Sequence, residues 1–294
     1  MIDVLIALAP ACVMGCVIFG IRALLVLFAC TASAVLSEFL FNIITKKRQS
    51  VGDFSAAVTG ILLGMNLRAD APIWQCVVGS VFAIIVVKCL FGGLGCNFAN
   101  PAITARVVLV ISFTSTVGGG VLPGTVDKIF FPSSELVTTA TPLAAQYGMP
   151  GLWDLFIGNC GGAIGETCAL ALLIGYAYLV IRRVIKFEVP LIFIGTVFLF
   201  SLIAEGSFYL ALCDILSGGL ILGAVFMATD YVTTPITRTG KMIFAFGCGL
   251  LTFLIRFYGS YPEGVSFAIL FMNILSPYIE KWTARRPLGA MGGK

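Results

Sequence analysis

The stretch Val77-Val78-Gly79-Ser80-Val81-Phe82-Ala83-Ile84-Ile85-Val86-Val87 carries no charge and no alternation of apolar with polar positions. A transmembrane β-strand would alternate the two kinds over about ten residues, one face toward lipid and the other toward a polar lumen. This run and Leu191 to Leu202 are mostly apolar in both registers, which suits a helix surrounded by lipid or by other apolar helices. The 294-residue chain around them is 59% hydrophobic and 11% charged, with a mean hydropathy of +1.06. A soluble domain covers its surface with about 25% charged residues, so the chain reads as an integral membrane protein.

A bilayer core of about 30 Å takes about 20 helical residues. Apolar runs separated by polar breaks lie near 3–20, 23–44, 53–67, 73–91, 103–117, 157–181, 188–204, 208–228, 242–257 and 263–280. The expected fold class is therefore all-α, with about ten transmembrane helices in a single integral membrane domain, 1–294. Residues 1–20 lack a basic leader and a small-residue cleavage site, and read as a first span, not a removable signal. With both termini cytoplasmic, fourteen Lys and Arg residues, Lys88 and Arg106 among them, fall inside and only Arg22, Arg68, Lys128 and Arg256 fall outside. The positive-inside rule then places the 118–151 loop on the outer face. The net charge of +4 is topological, and gives no support to a nucleic-acid partner.

Two similarities suggest an internal repeat. Thr59-Gly60-Ile61-Leu62-Leu63-Gly64 resembles Gly218-Gly219-Leu220-Ile221-Leu222-Gly223, and Phe91-Gly92-Gly93 leading to Pro101-Ala102-Ile103 resembles Phe257-Tyr258-Gly259 leading to Phe267-Ala268-Ile269. Both join a span of the first five to one of the second five, and an odd number of helices per unit makes the two units inverted in the membrane. The expected organisation is a 5+5 inverted repeat: a first unit at 1–117, the outer loop at 118–151 and a second unit at 152–294. Broken helices are expected where 91–101 and 228–235 follow apolar helices with glycine or hydroxyl residues and a proline. These read either as re-entrant, ligand-binding segments or as ordinary cytoplasmic turns.

The chemistry available to the side chains is limited. Histidine is absent, which removes imidazole ligation of haem, a Ser-His-Asp triad and an imidazole proton relay. The ten cysteines form no C-x-x-C pair and mostly sit in apolar runs as small hydrophobes. Glu166 follows Gly158-Asn159-Cys160-Gly161-Gly162-Ala163-Ile164-Gly165 well within an apolar region. An acid there costs several kcal/mol unless paired or wetted. Glu166 is thus a candidate for an ion path or a cofactor contact, or else an acid paired with an arginine. Asp3 and Asp230 read as helix-end acids, and Gly161, Gly165 and Ala169 as packing positions.

The outer loop contains Thr138-Thr139-Ala140-Thr141-Pro142-Leu143-Ala144. From spacing alone, threonine followed by proline is best read as a helix N-cap. Its company alters the balance: Phe91 to Gly95 with Asn100-Pro101-Ala102, then Thr141 to Ala144, Gly158 to Thr167, and Phe226-Met227-Ala228-Thr229-Asp230 with Thr234-Pro235. In order and spacing this set resembles the RnfD/NqrB family of membrane redox subunits, from about Asp3 to Glu280. The RnfD branch belongs to the Rnf ion-translocating electron-transport complexes. The NqrB branch, from the sodium-pumping NADH:quinone reductase, usually has a longer amino-terminal extension, so the short start favours the Rnf type.

The resemblance implies flavin mononucleotide (FMN) joined by a phosphodiester bond to Thr141, within a family motif that ends in Ser-Gly-Ala-Thr after an upstream aspartate. Here Thr138 stands for the serine, Thr139 for the glycine and Glu135 for the aspartate. It further implies a flavin transferase for maturation, a second, noncovalent flavin (riboflavin), and partner subunits that pass electrons between reduced ferredoxin and NAD while Na+ or H+ is exported. Lipid surrounds the subunit in a bacterial cytoplasmic membrane. Glu166, Asp230 and Asn100 become candidates for the ion path or the second flavin. The rival reading is a channel or secondary transporter for a small polar solute on the same ten-helix inverted repeat.

Overall fold

The computed structural model describes residues 1–121, 138–139, 151–259 and 264–284, and these are helical almost throughout. In chain order the helices are α1 (Ile2–Phe19), α2 (Ile21–Ile44), α3 (Ser55–Met65), α4 (Ile73–Val81, continued by π-helical turns Phe82–Cys89), α5 (Pro101–Ser112), α6 (Thr114–Val117), α7 (Leu152–Ile157), α8 (Ala169–Ile181), α9 (Glu188–Glu205), α10 (Phe208–Leu216), α11 (Leu220–Leu222, continued by π-helical Gly223–Met227), α12 (Arg238–Tyr258) and α13 (Val265–Thr283). Short non-helical stretches connect them, and two two-residue strands, β1 (Gly120–Val121) and β2 (Thr138–Thr139), pair antiparallel.

Each of the ten apolar runs corresponds to helix, but not every run is one span. Among the described residues, α1, α2, α9 and α12 are long and apolar enough to cross alone, and α10 with α11 and its π-helical continuation makes one crossing bent by 64°. The runs at 53–67, 103–117 and 157–181 instead contain the shorter α3, α5 and α8, of 11, 12 and 13 residues. At 1.5 Å per residue these cover roughly 17–20 Å, short of the ~30 Å core. Non-helical backbone at 66–72 and 158–168 supplies the rest; the first coincides with the polar break expected after 67, whereas the second lies where the apolar pattern had suggested continuous helix. Glycine explains one of them: Gly158 ends α7 at φ 107°, a left-handed conformation, and the glycine-rich 158–165 stretch does not resume the helix.

α2 packs on α3 and α4, and α9 on α10 and α12, which in turn holds α13. Across the middle, α1 lies against α8 and α5 against α13. The α1–α8 contact is antiparallel, with Tyr178 and Arg182 reaching Asp3 at one end and Ile164 against Gly15 at the other. Gly165 is a packing glycine as expected, since a Cβ there would lie 2.6 Å from that of Met65.

The periphery is apolar, with Val17, Phe28, Ile203 and Trp282 exposed, while hydroxyls collect inside. Ser33, Ser37, Ser80, Thr196 and Thr252 each donate to the carbonyl four residues earlier, which satisfies them within their own helix.

Lys88 and Arg106 are not loop charges: both are buried, at 2% and 4% exposure, so they do not belong in the count of cytoplasmic cations. Lys88 Nζ donates to Glu38 Oε1 at 2.8 Å and to Ser55 Oγ at 2.6 Å. Glu38 Oε1 also accepts from Ser50 Oγ at 2.6 Å. One ammonium therefore ties α2, α3 and α4 together. Removing one partner of such a pair leaves a lone buried charge and costs about 3–5 kcal/mol, whereas replacing both with apolar residues is often neutral. Lys88→Met should thus lower the thermal unfolding midpoint in detergent sharply, and adding Glu38→Leu should restore most of the loss.

Candidate functional site

Three interruptions meet in the interior: 66–72 after α3, 158–168 before α8, and 217–219 between α10 and α11. Backbone bonds dock the second onto the first, with Gly165 N–H donating to Met65 O at 2.8 Å and Ile164 N–H to Leu67 O at 3.1 Å. This places Glu166 beside the end of α3, where Arg106 reaches it from α5. The guanidinium donates to Glu166 Oε1 at 2.8 Å and also to Asn66 Oδ1. Gly219 closes the site, since a Cβ there would lie 2.6 Å from Glu166 Oε1. Glu166 thus takes the arginine-paired alternative, but with only one oxygen. Its Oε2 and the neighbouring Thr167 Oγ1 are buried without a hydrogen-bond partner among the described residues.

From this cluster polar groups run both ways. Asn66 Nδ2 donates to Leu62 O at 2.6 Å and lies 3.7 Å from Met227 Sδ, while Asn100 Nδ2 approaches Met227 O at 3.5 Å. Asn100 is also the N-cap of α5, its Oδ1 accepting from Ala102 N–H at 3.0 Å ahead of Pro101 in the first turn. Beyond Asn100 opens a cavity of about 200 Å³, walled by Val58, Leu62 and Phe226 and edged by Lys88, Asn97 and Asp230. Met1, Val4 and Ile185 place it at the face where α1 begins and α8 ends.

In the other direction, Gly162 exchanges both backbone hydrogen bonds with Val121, at 3.3 and 3.4 Å. Val121 pairs with Thr138, and Gly120 with Thr139. Thr138 and Thr139 are accordingly strand residues, not helix caps. The extended backbone of residue 139 makes no demand for the glycine of the family motif. Thr141 lies outside the described residues. Gly15 of α1 is against Ile164, and thirteen helical residues beyond Ile2 correspond to about 20 Å. The Glu166 cluster is therefore deep, with the cavity on one side and the ladder on the other.

The structure thus joins Glu166 and Asn100 through Asn66 and Met227, and sets Asn100 and Asp230 around one cavity. Sequence reasoning did not single out Arg106, Asn66 or Lys88 as site residues. A signal for Arg106 was available: it is the only charge in Pro101-Ala102-Ile103-Thr104-Ala105-Arg106-Val107-Val108-Leu109-Val110-Ile111-Ser112, and a lone charge in an apolar helix calls for a buried partner. All ten cysteines are free thiols, seven of them buried.

A family model described as the NQR2, RnfD, RnfE family matches residues 1–289, which span the whole polar line from the cavity to the ladder. The chain belongs to that family. Among its relatives, the D subunit of the Na(+)-translocating ferredoxin:NAD(+) oxidoreductase complex of Acetobacterium woodii is 45% identical, over 98% of this chain and 89% of the relative. The D subunit of the proton-translocating ferredoxin:NAD(+) oxidoreductase complex of Clostridium ljungdahlii is 38% identical, over 96% and 88%. The B subunit of the Na(+)-translocating NADH-quinone reductase of Chromohalobacter salexigens is 36% identical, over 76% of this chain and 56% of the relative.

Asp230 lies in the connection between α11 and α12. Burial pushes its carboxyl above the ordinary aspartate value of 3.8, against hydrogen bonds from the Val232 and Tyr231 N–H groups and the Thr233 hydroxyl. An acid whose pKa rises on folding binds its proton more tightly in the folded chain. Its contribution to stability is complete below pH 3.8 and is lost as pH rises through the raised folded value. Thermal midpoints measured across that range should fall with pH in the parent protein, and Asp230→Asn should flatten this part of the curve.

Proposed function

We propose that the chain is the flavin-carrying membrane subunit of an ion-translocating ferredoxin:NAD oxidoreductase complex, coupling electron passage to transport of Na+ or H+. What carries the reading is the family match over residues 1–289 together with the ladder that ties the segment leading to Thr141 to Gly162, four residues from Glu166. The names of the Acetobacterium and Clostridium relatives support the same activity.

On this reading Thr141 carries FMN, and the paired Thr138 and Thr139 hold its attachment point against β1. With no histidine in the chain to activate the hydroxyl, a metal-dependent flavin transferase supplies the activation. The chemistry of the cavity walls suits part of a noncovalent flavin such as riboflavin, the rest of which would extend beyond the cavity of about 200 Å³. Phe226, Leu62 and Val58 suit a flat apolar ring, while Lys88, Asn100 and the buried Asn97 Oδ1, unpartnered among the described residues, suit its polar edge. Flavin supplies the redox chemistry; the chain positions it and excludes water. Partner subunits bind ferredoxin and NAD, since the sequence has no nucleotide-binding fingerprint.

The topology that fits has both termini cytoplasmic and the Thr141 loop on the outer face. Without the buried Lys88, Arg106 and Arg68, the charge count still stands at twelve against three. The 5+5 inverted repeat of 1–117 and 152–294, flanking the 118–151 loop, is supported by packing of first member on first (α1 with α8) and last on last (α5 with α13).

Ultraviolet fluorescence of the denatured polypeptide on a gel tests the attachment. The chain co-expressed with the transferase should give a fluorescent band that Thr141→Ala abolishes. A dark parent band, or fluorescence that survives Thr141→Ala, rejects the covalent assignment.

A further inference from the structure

We propose that the turn between α8 and α9, together with the first turn of α12, forms a binding site for the phosphate of an anionic phospholipid. Arg183, Lys186 and Lys241 stand around a cavity of about 190 Å³, whose wall also includes Tyr231, Val189 and Ala228. Charge sets this cavity apart from the rest of its face. Arg182 pairs with Asp3, and Arg238 with Glu188. The three cations around the cavity have no carboxylate partner among the described residues, and no acid lines the wall. The carboxylate of Asp230, next to Tyr231, accepts from the Val232 N–H and the Thr233 hydroxyl and borders the adjoining cavity instead.

The hydroxyls of Thr229 and Thr234, which also line the cavity, already donate to Val225 O and Asp230 O. What remains for a ligand is the N–H groups of three cations, a set that selects an anion with several oxygens, as a phosphate has. The backbone at Arg183 adds a second observation. Its N–H donates to Val180 O and that of Val184 to Leu179 O, each at 2.9 Å, a helix end that usually puts glycine in the left-handed position. Arginine stands there instead, at φ 58°. A long side chain kept where a Cβ is disfavoured points to a use for that side chain. The rim favours lipid over free phosphate, since Ile181, Phe187 and Ile236, each within two residues of the wall, are exposed. Apolar surface beside a basic pocket at the ends of transmembrane helices suits acyl chains beneath a headgroup.

Arg183, Lys186 and Lys241 border this cavity and not the neighbouring one, so the inference rests on neither the flavins nor the coupling ion. The test is calorimetric titration of the purified, assembled complex with short-chain phosphatidylglycerol, short-chain phosphatidylcholine and inorganic phosphate. Phosphatidylglycerol should show saturable binding that phosphatidylcholine lacks. Combining Lys186→Gln with Lys241→Gln should weaken that binding by roughly 25-fold, about fivefold per cation. Arg48→Gln, which removes an exposed cation after α2 and away from the cavity, should leave it unchanged. Arg183→Gly should weaken binding while keeping the thermal unfolding midpoint at or above the parent's, because glycine suits φ 58°. Loss of binding in that variant therefore does not come from loss of fold. Three results overturn the proposal: no saturable phosphatidylglycerol binding, equal binding of phosphatidylcholine, or parent-like affinity in the double variant. A loss in Arg48→Gln as large as in the double variant does so too, and inorganic phosphate binding as tightly as phosphatidylglycerol assigns the cavity to free phosphate and rejects lipid.

Discussion

A charge inside a lipid-surrounded helix must meet its counter-charge before that helix can pack, and two such charges organise this chain. Lys88 fixes the α2–α3–α4 corner through Glu38 and Ser55. Arg106 fixes α5 against the end of α3 and against the non-helical stretch before α8, through Asn66 and Glu166. The first pair joins residues 50 positions apart within residues 1–117. The second joins residues 60 positions apart across both halves, so the seam between the halves is built around a charge. Hydrophobic burial gives little direction among helices in lipid, because the lipid is as apolar as the side chains. Polar contacts of this kind therefore specify which helix goes where.

The second constraint is the backbone. A break at membrane depth leaves peptide groups that lipid cannot satisfy, and at several of them a specific donor or acceptor answers. Arg68 donates to Ser115 O and Gly118 O, securing the exit of α6, and Arg256 donates to Asp214 O and Ser217 O at the bend after α10. Both arginines read in the sequence as outer-face charges. In the fold they also serve as carbonyl caps, one in each half. The segment at 158–168 is answered by backbone from α3 and β1. Irregular chain survives at this depth because three parts of the molecule close on it.

Much of this was legible in the sequence. Apolar runs located every long helix, though not the short α7 ahead of the run at 157–181, and glycine or hydroxyl residues with a proline marked the breaks at 91–101 and 228–235. The break inside 157–181 was hidden, because glycine, alanine and isoleucine in 158–165 are as apolar in irregular backbone as in a helix. Hydropathy reports where a residue is soluble, not the shape of its backbone. Glu166 stood out because an acid in an apolar run is conspicuous, whereas Arg106 and Lys88 disappear into a topology count that treats every cation as a loop residue. Thr138 and Thr139 look like caps for a different reason: their partners in the ladder lie across the long 122–137 segment, and local spacing carries no information about such pairing.

The half-length helices have an electrical consequence. The cavity reaches in from one face as far as Asn100, and six residues further along α5 stands Arg106, a rise of only about 9 Å. A transmembrane voltage drops where the dielectric is low, so with water in the cavity it would fall over what lies beyond Asn100 and not over the full bilayer. A unit charge moving between the cavity floor and the Glu166 cluster would then traverse a large share of the membrane potential in a short step, against a full-crossing scale of about 2.3 kcal/mol per 100 mV. A water-filled cavity between shortened helices thus lets a small displacement do more electrical work than the same distance would in an unbroken bilayer.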